Sequence, residues 1–348
     1  MNAYYSQDAH GPFRLIDIGR LELAEGGVLE NCPLAVATHG QLNAARDNAI
    51  LVTTWYSGTS KIMEQVFIGP GRALDPTRYF IVVVNQIGSG LSVSPHNAPG
   101  ALAGPNFPKV RIGDDVRAQH RLLTEHFGIQ RLALVTGGSM GAQQTYEWAV
   151  RYPEMVARAA PIAGTACNTE HDFLFTELLM EAITTDPGFR DGHYASSEGV
   201  AAGLKRHAKL WTLMGWSTEF FRCGRHHALG FDSMQAFVDG FMTGYFAPMD
   251  PNNLLCMAWK WQRGDVSLHA GHDKAAALGR IRAKTYVMPI TTDMFFPPSD
   301  CQAEQQLIPN SELRPISSLD GHLTLFGTDA NAITQIDACL NELLATSA

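Results

Sequence analysis

Apolar and polar positions change rhythm along this chain, and each change marks an element. Over residues 13–38 they alternate around Gly26-Gly27, which predicts an antiparallel hairpin leading a sheet. Residues 49–54 (AILVTT) and 79–84 (YFIVVV) are instead unbroken apolar runs, the pattern of strands covered on both faces. Between residues 114 and 127, Val116, Leu122, Leu123 and Phe127 return at near-helical spacing, and Gly128 is placed to end the helix. A third apolar run, 132–136, meets Gly137-Gly138-Ser139-Met140-Gly141, and residues 142–152 follow without Gly or Pro. That order predicts strand, sharp turn, helix. From about residue 166 to 282 the strand signals fade, and helix-like stretches rich in Met, Phe and Trp replace them at 173–183, 200–216, 234–245 and 254–261. Residues 284–290 restore a buried-strand pattern and 313–316 add a short one. Ile333, Ile336, Leu340 and Leu343 then form one stripe of a closing helix that starts near Asp329.

Strands alternating with helices predict an α/β fold around a mostly parallel central sheet, with ligands beyond the carboxyl ends of the strands. The fade in the middle divides the chain into a core of residues 1–165 and 283–348 and an inserted helical lid of 166–282. The length of 348 residues suits one core with one insertion. A net charge of -8, with no basic block or basic helix, argues against nucleic acid and anionic membranes as partners. The opening residues hold no basic stretch followed by an apolar one, and no apolar run reaches membrane-spanning length, so a cytoplasmic protein is expected. Six scattered cysteines without a C-x-x-C pair suggest free thiols.

The turn at residues 137–141 carries the candidate chemistry. A serine in G-x-S-x-G between strand and helix is a nucleophile elbow: Gly137 and Gly141 lack the Cβ atoms that would clash, and the strained turn lifts the Ser139 hydroxyl above the sheet. The Met140 N–H, at a helix N-terminus, supplies half of an oxyanion hole. Such a serine needs a base and an acid to orient it, in the chain order Ser, acid, His. Asp293 directly follows the strand expected at 284–290, with Asp300 and Asp320 as competing acids. His322 lies between the last strand and the closing helix. His269-x-x-His272-Asp273 has metal-ligand spacing but no accompanying glutamate base, so no metal is expected. His226-His227, beside Arg222 and Arg225, reads as a solvated or lid-contacting face.

Several separated motifs in one order carry a name. The run Gly40 to Ala49, Ile68-Gly69-Pro70-Gly71, Leu74-Asp75, Arg78-Tyr79-Phe80 and Val116-Arg117-Ala118-Gln119 precede the elbow; Glu147-Trp148-Ala149, Asp293 with Phe296-Pro297, and Gly321-His322 follow it. With them the chain resembles the homoserine O-acetyltransferase family of α/β-hydrolase fold enzymes. The resemblance implies a double displacement in which Ser139 takes an acyl group from a donor and an alcohol removes it, with His322 moving the proton and Asp293 orienting it. It also implies Tyr56 N–H as the second oxyanion donor and a homodimer through the lid. Two features of the family's amino-acid clamp are altered: Met180 stands where an Arg is expected to hold the homoserine carboxylate, and Leu323 follows His322 where an Asp is usual. Trp55, in Thr54-Trp55-Tyr56, adds aromatic bulk beside the oxyanion loop. The leading expectation is a serine acyltransferase or esterase with an altered acceptor site and no bound cofactor, acetyl-CoA or another acyl donor serving as substrate. A true homoserine O-acetyltransferase, with Arg222 or Arg225 replacing the missing clamp, and a non-catalytic scaffold of the same fold are the alternatives.

Overall fold

The computed structural model describes residues 2–347. Eight strands form one sheet in the order β1-β4-β6-β5-β7-β8-β9-β10, where β1 is Arg14–Asp17, β4 Pro33–His39, β5 Ala49–Thr53, β6 Phe80–Val84, β7 Leu134–Gly138, β8 Arg158–Ile162, β9 Lys284–Val287 and β10 Ser311–Leu313. β1 and β4 enter antiparallel, and every pairing from β6 through β10 is parallel. The leading hairpin is nested. β2 (Leu21–Glu22) and β3 (Val28–Leu29) pair around the Gly26-Gly27 turn as a separate two-stranded ribbon inside the β1–β4 pair.

Side chains alternate across the central strands, so each strand feeds two cores. Ile50, Val52, Ile81, Val83 and Leu134 face α1 (Ser60–Phe67) and the closing helix, whose Ile336, Leu340 and Leu343 are buried against them. Leu51, Val82, Val84 and Val135 face α2 (Ile112–Arg121) and α3 (Met140–Arg151). This second core continues upward into helices inserted between β8 and β9. Among them are α4 (Glu170–Thr184), α5 (Ala201–Gly215) and α6 (Pro251–Gln262), which bury Phe175, Trp211 and Trp261.

Three expectations shift. β8 went unread because Arg158 and Pro161 speak against a central strand; the Pro161 carbonyl nonetheless accepts the Met288 N–H and keeps the ladder to the next segment, while Arg158 turns to the carbonyl of Ala133. The short strand expected at 313–316 is 311–313 instead, because those residues register with 285–287 and Ile316 makes only an isolated bridge to Ile290. α2 begins at Ile112, and its last turn, Leu122–His126, widens to π geometry before Gly128 (φ 66°) ends it.

Candidate active site

The site lies where the chain crosses from β6 to β7 on the other side of β5, a topological switch point. Register puts Thr53 of β5 opposite Gly137 of β7, so the residues just past both strand ends emerge side by side: Trp55 and Tyr56 from one, Ser139 and Met140 from the other. Ser139 sits at φ 57°, ψ -124°, a conformation that non-glycine residues rarely adopt, and caps the start of α3. Gly141 permits it: a Cβ there would stand 2.5 Å from the carbonyl oxygen of Thr53.

Asp293 leaves the end of the β9 segment in a tight loop, where its Oδ1 accepts the backbone N–H groups of Phe295 (2.8 Å) and Phe296 (3.2 Å). That leaves Oδ2 for His322 Nδ1, at 2.7 Å. The other ring nitrogen, Nε2, is 2.9 Å from Ser139 Oγ. With Nδ1–H donating to the carboxylate, the Nε2 lone pair faces the serine hydroxyl. All three residues are buried, and the rings of Phe295 and Phe296 pack 5.0 and 5.7 Å from the imidazole. Asp300 and Asp320, the competing acids, do not reach this histidine: Asp300 lies in the first turn of the helix Pro298–Gln305, and Asp320 pairs with Arg225.

Met140 N–H is the first amide of α3, and Tyr56 N–H leads away from β5; among the described residues neither meets an acceptor. The Tyr56 side chain is anchored in the inserted helices. Its hydroxyl donates to the Leu254 carbonyl (3.0 Å), and its ring lies against His207 and Trp211. Burial holds His207 near pKa 4, hence neutral, so the contact adds no charge beside the site.

In front of Ser139 and His322 the cavity is narrow and apolar. Trp55, Ser57, Trp211, Met242, Phe246, Leu325 and Phe326 complete its wall, and it encloses about 10 Å³, room for roughly one water molecule. Larger cavities exist elsewhere; one of about 210 Å³ between α3 and residues 263–269 touches neither Ser139 nor His322.

Of the sequence-derived pocket residues, Trp55 lines this cavity and three do not. Met180 packs half-buried against the second core. Arg222 is exposed and paired with Glu219, its i-3 neighbour, because a one-turn salt bridge is the nearest partner for a solvated guanidinium. Arg225 Nε instead meets the buried carboxylate of Asp320 at 2.5 Å. Neither arginine replaces the missing clamp. Arg225 helps to fasten the loop that carries His322, together with Ser217, whose hydroxyl donates to the Leu319 carbonyl, and the close approach of Gly321 to the Gly215 carbonyl. His269 goes to Glu147 Oε1 (2.8 Å), and Asp273 caps the short helix Lys274–Leu278. Missed from the sequence were Trp211, Met242, Phe246, Leu325 and Phe326, which carried no signal beyond apolar periodicity.

Fold and site together define a class. A family model described as alpha/beta hydrolase fold matches residues 58–326, and the chain belongs to that family and is an α/β-hydrolase enzyme. It is 71% identical over 348 residues to an ethyl acetate hydrolase of Pseudomonas veronii, covering 100% of both chains. The solved structure of the acetyl esterase MekB, also 71% identical, matches with a TM-score of 0.99 over 99% of this chain and 100% of that one. A homoserine O-acetyltransferase of Trichormus variabilis is 31% identical over 313 residues, 86% of either chain, which bears out the resemblance drawn from the motifs.

Proposed function

We propose that the chain hydrolyses short-chain acyl esters, acetate esters of small alcohols above all, through a Ser139-His322-Asp293 triad. The observation that carries this reading is the imidazole of His322 bonded at once to Asp293 and to Ser139. Ser139 Oγ attacks the ester carbonyl while His322 Nε2 takes its proton; the carbonyl oxygen, now an anion, turns to the amides of Met140 and Tyr56. Collapse of the tetrahedral adduct breaks the bond to the alcohol oxygen, which leaves with the proton from His322. Water then gives its proton to the same nitrogen and attacks the acyl-serine, releasing the carboxylic acid and restoring Ser139. Asp293 keeps the imidazole in the required tautomer throughout. This chemistry calls for no cofactor.

The narrow, apolar wall around Ser139 supports a short acyl group, and the relative and the solved structure at 71% identity carry the names ethyl acetate hydrolase and acetyl esterase. Acyl transfer to homoserine is the weaker reading, since the cavity wall holds no cation for a carboxylate and Met180, Arg222 and Arg225 lie away from it. Exposed Leu174 and Leu178 on α4 and Leu213 on α5 support a homodimer through the inserted helices, which light scattering would register.

The test is hydrolysis of ethyl acetate and p-nitrophenyl acetate by the purified protein and by Ser139→Ala. The expected result is a loss in kcat on the order of 10⁴-fold or more with the fold intact. Hydrolysis surviving in Ser139→Ala, or rapid release of CoA from acetyl-CoA that depends on homoserine, would overturn the reading.

A further inference from the structure

Behind the two amides assigned to the oxyanion runs a buried chain of hydrogen bonds that the reaction itself does not use. Trp148 Nε1–H donates to Gln119 Oε1 (2.7 Å), Gln119 Nε2 to Gln144 Oε1 (2.7 Å), and Gln144 Nε2 to the carbonyl of Thr54 (2.8 Å). Each of these four residues is at most 1% exposed. An amide side chain can be flipped without changing its shape, but here the direction is forced. An indole can only donate and a backbone carbonyl can only accept, so the ends of the chain fix both glutamines between them.

The relay ends at a consequential place. Thr54 is two residues before Tyr56, and its carbonyl takes a second donor, Gln86 Nε2, also at 2.8 Å. Both lone pairs of that oxygen are thereby occupied, and the peptide plane leading into Trp55-Tyr56 cannot rotate without breaking two buried bonds. Gln144 Nε2 also reaches the Met140 carbonyl at 3.4 Å. One carboxamide therefore touches both segments that present an oxyanion donor, the exit of β5 and the first turn of α3.

We propose that Gln144 is the positioning residue of the oxyanion hole, setting the spacing between the Met140 and Tyr56 amides, with Gln119 and Trp148 holding its carboxamide the right way round. The proposal rests on the esterase reading above. Donors that converge before the reaction stabilise the transition state without reorganising, and their misplacement costs rate rather than ground-state binding.

Gln144→Met keeps the volume and removes the donor. In the active-site-titrated variant, kcat for p-nitrophenyl acetate is expected to fall by about 10²-fold with KM little changed. Affinity for a methyl trifluoromethyl ketone, whose hemiketal with Ser139 places an anion in the hole, should fall by the same factor. Gln144→Glu supplies the conservative variant: protonated, the acid donates to Thr54 as the amide does, and ionised it cannot. Its activity relative to wild type at each pH should therefore rise as pH falls. Gln119→Leu, one link further back, should lose less than Gln144→Met. Wild-type kcat and ketone affinity in folded Gln144→Met, or a loss confined to KM, would overturn the proposal. Failure of the esterase reading looks different, because wild type and Ser139→Ala would then hydrolyse the ester equally poorly.

Discussion

Lys260 and Asp115 form an ion pair whose side chains are 0% and 1% exposed, and its rupture has a calculable consequence. The pair clamps the loop after β6 onto α6: Lys260 Nζ also donates to the Ile87 carbonyl (2.6 Å), and Asp115 Oδ1 accepts the Ile87 N–H (2.8 Å). Burial pushes the Asp115 carboxyl upward even with the ammonium beside it, so desolvation outweighs attraction and the pair adds little net stability. Removing one member is another matter. Lys260→Met fills nearly the same space, so no cavity term enters; what remains is a carboxylate in a dry site with one amide donor, plus an unpaired Ile87 carbonyl. A buried charge left without its partner costs about 3–5 kcal/mol, and an unmet carbonyl about 1–3 kcal/mol, partly within that figure. Urea denaturation followed by tryptophan fluorescence should read a loss of about 4 kcal/mol. Adding Asp115→Asn keeps the acceptor for Ile87 N–H while discarding the charge, and should return the protein to within about 2 kcal/mol of wild type. The single variant also acquires a pH signature. With its folded pKa raised above the unfolded value, Asp115 favours folding when protonated, so stability is retained at low pH and lost as pH rises, by up to about 1.4 kcal/mol per pH unit. A loss in Lys260→Met below about 1 kcal/mol, or no recovery in the double variant, would refute this account of the clamp.

Two further outcomes follow from the site and its surroundings. Phe246→Ala should open the cavity toward a longer acyl chain and raise the butyrate-to-acetate ratio for p-nitrophenyl esters by about tenfold, two methylenes at ~0.8 kcal/mol each; an unchanged ratio would show that Phe246 does not bound the acyl group. Glu304, 2% exposed, accepts the N–H groups of Ala166 and Cys167, yet burial pushes its carboxyl up to about 7. Its contribution to stability is thus fully present below about 4.5 and lost as pH rises toward 7, at about 1.4 kcal/mol per unit. Urea midpoints between pH 5 and 7 should show this slope in wild type and a flatter one in Glu304→Gln.

Local chemistry was legible in the chain and distant partnership was not. The elbow could be read because its glycines, strand and helix are contiguous, and the order of Ser139, Asp293 and His322 singled out side chains that the structure brings within hydrogen-bond reach. β8 escaped because its residues look wrong for a strand until their neighbours are known. The cavity wall escaped because a tryptophan or phenylalanine on a helix reads alike whether it faces Ser139 or another aromatic ring. Arg225 looked like a free cation; its partner, Asp320, is 95 positions away in sequence. The glutamine relay joins α2, α3 and the end of β5, a meeting that only the assembled sheet creates.

The grip of residues 215–225 on the loop bearing His322 makes the inserted helices more than a cover. Were that layer to swing outward as one body, it would tug the proton acceptor out of line with the hydroxyl. Met242 and Phe246, which wall the cavity beside Ser139, belong to that same layer, so the inserted helices both bound the site and hold its base.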